Sequence, residues 1–269
     1  MRMEPLARLV SLVARLRAPD GCPWDRAQTL ASMRPHLIEE AYEVIEAVDA
    51  GADPLLEEEL GDLLFNVLLV IQIAQDERRT SLERVAARIH DKMVRRHPHV
   101  FSDESSQEAV DGPSLARWEA VKAAQAPADR SRLDGIPSTA PALMRAHRQG
   151  QKAAGVGFDW PDVGGVLDKV DEELAELREA IDAGDPAAIE WELGDLLLSL
   201  ASLGRHTRTP AEDALRMAIA RFDKRFRAME TEARGQGETL AALDSADLER
   251  KWENAKVTTD PPGPDEEGA

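Results

Sequence analysis

Apolar residues fall on one helix face in two well-separated stretches of this chain. Leu37, Ala41, Val44, Ile45 and Val48 keep the i, i+4, i+7, i+8, i+11 spacing of a helix that buries one side. Leu167, Val170, Leu174, Leu177 and Ile181 alternate steps of three and four, which suits helix-on-helix packing. Both patterns stop at a similar signal, Gly51 ahead of Asp53-Pro54 and Gly184 ahead of Asp185-Pro186. The glycine suits a C-terminal cap, the aspartate an N-cap and the proline the first turn of the next helix. Each stretch therefore predicts a helical hairpin. No segment shows the alternation of a half-buried strand, so the predicted fold class is all-α.

The two hairpins carry the same acids. Glu39-Glu40-Ala41-Tyr42-Glu43 is followed by Glu59-Leu60-Gly61-Asp62, and Glu172-Glu173-Leu174-Ala175-Glu176 by Glu192-Leu193-Gly194-Asp195, with matching acids 133 positions apart. Trp24-Asp25 and Trp160-Pro161 precede the two first helices, and Trp118-Glu119-Ala120-Val121-Lys122 is echoed by Trp252-Glu253-Asn254-Ala255-Lys256. Such internal similarity means two copies of one unit. The predicted organisation is an N-terminal helical-bundle domain over 1–125, a linker over 126–141 rich in Pro, Ser, Asp and Gly, a C-terminal domain over 142–257, and a disordered tail over 258–269.

Composition narrows the function classes. Hydrophobic residues make up 43 % of the 269, ample for packed cores, while the formal net charge is −18. That charge repels polyanions, so no nucleic-acid partner is expected. Cys22 is the single cysteine, which excludes an intrachain disulfide. The longest apolar run, Leu63 to Ala74, is interrupted by Asn66 and Gln72 and is too short to span a bilayer. The amphipathic start does not read as a signal peptide. A cytoplasmic protein without a membrane partner is expected.

If each hairpin packs antiparallel, its acids converge: Glu172, Glu173, Glu176, Glu192 and Asp195 in the second copy, Glu39, Glu40, Glu43, Glu59 and Asp62 in the first. An isolated Glu-Glu-x-x-Glu is ordinarily a solvated face. Here Asp62 and Asp195 lie inside Leu-Gly-Asp-Leu-Leu, where burial is expensive without a cation or hydrogen bonds. Gly61 and Gly194 sit mid-helix at a cost of about 1 kcal/mol against alanine, implying close helix approach or ligand access. Together with the duplication, these features favour a metal site. A donor set made only of carboxylates suits Mg²⁺, with Mn²⁺ also possible. A di-iron bundle would need Glu-x-x-His pairs, and none of the six histidines has a glutamate three residues before it. No Walker-type loop is present, so phosphates would be held by metal and side-chain cations. Lys169, Arg221, Arg225 and Lys256 are the candidates, and Trp252 offers a face on which a base could stack.

These residues together resemble the MazG family of nucleoside triphosphate pyrophosphohydrolases, whose hallmark Glu-Glu-x-x-Glu followed by Glu-x-x-Asp occurs here twice. Gly21-Cys22-Pro23-Trp24-Asp25, Arg95-Arg96-His97-Pro98-His99-Val100-Phe101, Pro141-Ala142-Leu143-Met144-Arg145-Ala146 and Val156-Gly157-Phe158-Asp159-Trp160 also look like the tandem form, so the resemblance covers roughly residues 5 to 257. It implies an all-α homodimer that hydrolyses NTPs or dNTPs to the monophosphate and pyrophosphate, with the activity in the C-terminal half. Carried over, the metal ligands are Glu173, Glu176, Glu192 and Asp195. Lys169, Arg221, Arg225, Trp252 and Lys256 hold the nucleotide, and Glu172 is assigned as the base that orients the water. The first half has His36 where the second has Lys169, a weaker phosphate clamp, although it keeps Lys92, Arg95, Arg96, Trp118 and Lys122. Trp191 and Arg221 depart from the family's usual acid and lysine. Two other readings stay open: a narrower hydrolase for dUTP, dCTP or an alarmone, and a non-catalytic helical interaction module.

Overall fold

The computed structural model describes residues 4–101 and 131–259. They belong to two compact units, 1–110 and 111–269. The expected domain end at 125, the first part of the linker and residues 260–269 of the tail lie outside the described residues, as do Trp118 and Lys122. Every described element is helical, with no strand among the described residues, as the patterns predict.

In the first unit, α1 (Glu4–Leu16), α2 (Pro23–Ala27), α3 (Met33–Ala50), α4 (Asp53–Asp76), α5 (Leu82–Arg96) and α6 (Pro98–Phe101) follow in order. The α3/α4 hairpin is the centre, and α1 and α5 both pack on α4. Val13, Met33, Leu68, Leu69 and Ile73 form the core, flanked by Leu9, Leu30 and Phe65. The second unit repeats the plan with α7 (Ala142–Ala154), α8 (Val163–Ala183), α9 (Pro186–His206), α10 (Ala211–Gly235) and α11 (Ser245–Thr259). There α7 and α10 pack on the α8/α9 hairpin, and α11 lies on α10. The last helix runs through Thr259, so Thr258 and Thr259 are helical rather than part of a disordered tail.

Both hairpins turn on the glycine the sequence marks. Gly51 and Gly184 sit at φ 61° and 66°, the left-handed conformation that caps a helix at little steric cost. Asp185 then caps α9, its Oδ1 accepting from the backbone N–H groups of Ala187 and Ala188 at 3.0 and 3.3 Å. In the first unit the cap falls on Ala52 instead, and Asp53 occupies the first turn, where its charge still favours the helix N-terminus.

The apolar faces differ in detail from the sequence pattern. The fully buried line of α8 is Val166, Glu173 and Ala180, while Leu167 and Ile181 of the predicted stripe are exposed. Gly61 and Gly194 have no neighbour within 4 Å of where a side chain would begin, so neither glycine serves a close helix approach within its unit. The close approach lies elsewhere: a Cβ at Gly204 would stand 2.5 Å from the Thr209 carbonyl oxygen, where the chain folds back after α9. Gly204→Ala is expected to destabilise the second unit by about 1–3 kcal/mol, because backbone must move to admit the methyl group. An unchanged urea midpoint would contradict this packing.

A charged tie holds the loop before α8 to the end of α9. Asp159 Oδ2 accepts from Arg205 Nη1 at 2.7 Å, and Asp159 Oδ1 contacts Arg205 Nη2 and lies 3.0 Å from His206 Nε2. Burial alone would raise the Asp159 pKa; the hydrogen bonds from Arg205 and His206 outweigh it and hold the carboxyl below its ordinary value. A depressed folded-state pKa contributes stability that is complete above the unfolded value and is lost as pH falls through the folded one. Between about pH 5 and pH 3, wild type should therefore lose more stability than Asp159→Asn. Parallel losses in the two proteins would show that the tie carries no net stabilisation. At the other end of the unit Lys251, 1 % exposed, pins α11 to α10 through Glu232, Gln236 and Glu238 at 3.4, 2.5 and 3.3 Å.

Candidate functional site

The hairpin geometry brings carboxylates from both of its helices to one point. On α8, Glu173 lies among core residues and is 4 % exposed; Glu192 and Asp195 come from the first half of α9. One oxygen from each of these three lies within 4.8 Å of the other two. Glu173 Oε1 meets Lys169 Nζ at 2.6 Å, whereas its Oε2 is buried without a hydrogen-bond partner among the described residues. A buried carboxylate oxygen left unpartnered is costly, and here it sits beside two further carboxylates. The arrangement suits a hard cation whose ligands are oxygens, and Mg²⁺ fits the donor set.

The electrostatics point the same way. Burial first, then the charges of Glu176, Glu173 and Asp195, push the Glu192 pKa above the ordinary glutamate value, with Lys169 opposing. Lys169 also bonds Glu172 Oε1 at 2.9 Å, and its hydrogen bonds to Glu173 and Glu172 hold its ammonium above the usual lysine range. Glu176 acts on Glu192 through its charge but is exposed and stands outside the convergent three. Glu172, assigned from the resemblance as the base, is exposed and bound to Lys169.

The remaining sequence candidates lie on α10 and α11. The Arg225 guanidinium sits 5.5 Å from the Trp252 ring centroid, and Trp252 packs on Phe222 at 5.3 Å. Lys256 pairs with Glu253 at 2.5 Å, and Arg221 is exposed one turn before Arg225. Trp191, next to Glu192, is 72 % exposed and does not pack inside its unit.

The first unit repeats the convergence with different partners. Oxygens of Glu40, Glu43 and Glu59 lie within 4.8 Å of one another, so here the third acid is Glu43 of α3 rather than Asp62. Glu40 Oε1 accepts from Asn66 Nδ2 at 3.1 Å, and Oε2 is buried without a partner among the described residues. Burial first, and then Asp62, Glu43, Glu59 and Glu39, raise the Glu40 pKa. His36, in place of the lysine, lies 3.7 Å from Glu39. In the sequence Asn66 stands out only as a break in an apolar run. Its spacing from Glu59 and Asp62, seven and four residues, places it on their helix face and marks it as part of the site.

The description of the MazG nucleotide pyrophosphohydrolase domain matches residues 28–101 and 165–228, which contain both hairpins. Over 261 residues the chain is 42 % identical to the nucleoside triphosphate pyrophosphohydrolase of Escherichia coli (strain K12), covering 94 % of this chain and 98 % of that protein. It is 43 % identical over 249 residues to the nucleoside triphosphate pyrophosphohydrolase/pyrophosphatase of Thermotoga maritima, covering 92 % and 94 %. An uncharacterized Bacillus subtilis protein is 41 % identical over 250 residues, which is 51 % of its length.

Proposed function

The chain belongs to the MazG family of nucleotide pyrophosphohydrolases, and from that premise we propose that its second unit hydrolyses NTPs and dNTPs with Mg²⁺ to the monophosphate and pyrophosphate. The observation that carries the metal reading is the buried Glu173 Oε2, unpartnered among the described residues and converging with Glu192 and Asp195. Those three residues hold the ion, and Glu176, one turn along α8 from Glu173, completes the set when its side chain turns inward. Mg²⁺ bound there supplies Lewis-acid charge to the phosphate oxygens and lowers the pKa of a bound water.

The chain's own groups do the rest. Lys169 presents a permanent positive charge beside the carboxylates, positioned to meet phosphate oxygens. Arg221, Arg225, Trp252 and Lys256 hold the remainder of the nucleotide, and Glu172 orients the attacking water. The first unit has the carboxylates without the lysine, so it binds a cation more readily than it clamps a triphosphate.

A homodimer is part of the same reading. No helix among the described residues is long and apolar enough to cross a membrane. In the second unit Leu167 and Ile181 of α8, and Leu193 and Leu197 of α9, stay exposed. An apolar set of this kind is a natural self-association surface. Purified protein is expected to release pyrophosphate from ATP, GTP, CTP and UTP only with Mg²⁺ or Mn²⁺ present. No release from any NTP or dNTP would favour an interaction module, and release from a single nucleotide would favour the narrow hydrolase.

A further inference from the structure

The last helix of the second unit is held by little apolar surface. α11 packs on α10 and has at most slight contact with any other described helix. The residues it buries are Lys251 and Ala255, and those of α10 are Met229 and Ala233. Lys251 is the bulkiest of the fully buried side chains among the described residues. We infer that Lys251 is a positioning residue for the nucleotide: it fixes the roll of α11 on α10, and so places Trp252 and Lys256 relative to Arg221 and Arg225. The inference rests on the function proposed above, which assigns those four residues to the nucleotide. It adds a residue that sets their geometry without touching substrate.

The chemistry of the junction supplies direction more than cohesion. A lysine side chain carries three N–H donors. Lys251 Nζ has three oxygen partners: Glu232 Oε1 at 3.4 Å, Gln236 Oε1 at 2.5 Å and Glu238 Oε2 at 3.3 Å. They belong to the last turn of α10, the residue that ends it, and the chain beyond Gly237. An apolar side chain here would supply attraction without direction. Three hydrogen bonds reaching different points favour one azimuth and one depth instead. Lys224 of α10 donates to the Thr259 carbonyl at 2.7 Å, which tethers the far end of α11. A backbone carbonyl lies close to the helix axis, so that bond does little against rotation.

Roll matters because of how α11 is arranged. Lys251 and Ala255 are four residues apart and form its buried line. Trp252 and Lys256, also four apart, form the neighbouring line, about 100° round the helix. A roll of about 20° moves a group about 6 Å from the axis by about 2 Å. The Trp252 ring lies against Phe222 at 5.3 Å and the Arg225 guanidinium at 5.5 Å, so the same roll would part it from both. Displacements of this size at binding groups weaken the hold on substrate. Stability depends on the lysine less. The side chains of Glu232 and Glu238 are 32 % and 44 % exposed, so both can turn to water once the ammonium is gone.

The test compares Lys251→Met with Gly204→Ala, which strains the backbone at the opposite end of α10, near Ala211. Lys251→Met should raise KM for ATP with Mg²⁺ about 10-fold, leave kcat within about 2-fold, and keep the thermal midpoint within about 4 °C of wild type. Gly204→Ala should lower the midpoint and leave KM unchanged. In fluorotryptophan-labelled protein the Trp252 fluorine signal, identified by its loss in Trp252→Phe, should shift or broaden in Lys251→Met and hold in Gly204→Ala. Unchanged KM or an unmoved Trp252 signal in Lys251→Met would overturn the inference. So would a KM that rises in both variants in step with lost stability. Gln236→Leu removes the nearest acceptor from an exposed position and should raise KM about 3-fold. It carries the test if Lys251→Met does not fold, and unchanged KM there then ends the inference. If wild type hydrolyses no nucleotide, the proposed function fails on its own. Calorimetric affinity for ATP with Mg²⁺ then decides Lys251: weaker binding by Lys251→Met supports the inference, and equal or absent binding ends it.

Discussion

Glu173→Gln is expected to lower pyrophosphate release by about 10³-fold while leaving the protein at least as stable as wild type. The two halves of this expectation have one cause. Glu173 is buried, one of its oxygens lacks a hydrogen-bond partner among the described residues, and Glu192 and Asp195 stand within 4.8 Å. A glutamine of nearly the same shape removes one of three crowded negative charges. It also puts an N–H₂ donor where an oxygen stood unpartnered, within reach of carboxylates that can accept. The fold then loses the crowding of like charges, while the Lys169 ion pair weakens to a hydrogen bond with a neutral acceptor, and Lys169 keeps its second carboxylate, Glu172. Function moves the other way, because a neutral amide is a poor ligand for a hard divalent ion. Such opposition of stability and activity is typical of sites held in a strained charge state. Asp195→Asn should behave alike. The checks are thermal unfolding without metal and pyrophosphate release with Mg²⁺. Near-wild-type turnover in both variants would remove the metal assignment, and a large drop in metal-free stability would remove the account of strain.

The sequence made the hairpins legible because their signals are local. The glycine and the proline that end and start helices act within a turn, and the structure places them as expected at Gly184, Asp185 and Pro186. The repeated acids were equally visible, since each set spans one hairpin. The burial of Glu173 was not. A search for apolar periodicity counts Leu167, Val170 and Leu174, while the buried line of α8 runs through Val166, Glu173 and Ala180. Its central member is an acid, so hydrophobicity alone cannot find it. The mid-helix glycines misled for a related reason: what a missing Cβ admits depends on neighbours, and within the unit Gly61 and Gly194 have none close by. Lys251 hid similarly, since its burial depends on Glu232, Gln236 and Glu238 of the preceding helix and turn. A cavity beside Trp160 draws on α7, the loop before α8 and α9, a meeting that no single stretch of chain announces.

Lys169→Met should lower kcat/KM for nucleoside triphosphates by about 10²-fold, and it should make the stability of the second unit depend more strongly on Mg²⁺. Lys169 bridges Glu172 and Glu173 at 2.9 and 2.6 Å. Those carboxylates hold its ammonium above the usual lysine value, so it stays charged throughout the working pH range. It thereby compensates a buried carboxylate that has little other support. Methionine fills similar volume and removes the charge, which leaves Glu173 facing Glu192 and Asp195 without a cation. Metal-free unfolding should then come at lower temperature, and added Mg²⁺ should raise the midpoint further in the variant than in wild type. Catalysis does not recover, because the metal can replace the lysine's support of Glu173 but not its contact with phosphate oxygens. Lys169→Arg keeps the charge with a different geometry and should fall between the two. The first unit shows what the lysine adds: there Asn66 supplies Glu40 with one neutral hydrogen bond, and His36 reaches toward Glu39 instead. Equal Mg²⁺-induced shifts in wild type and Lys169→Met, with turnover retained, would mean that Lys169 is a surface cation with no part in the site.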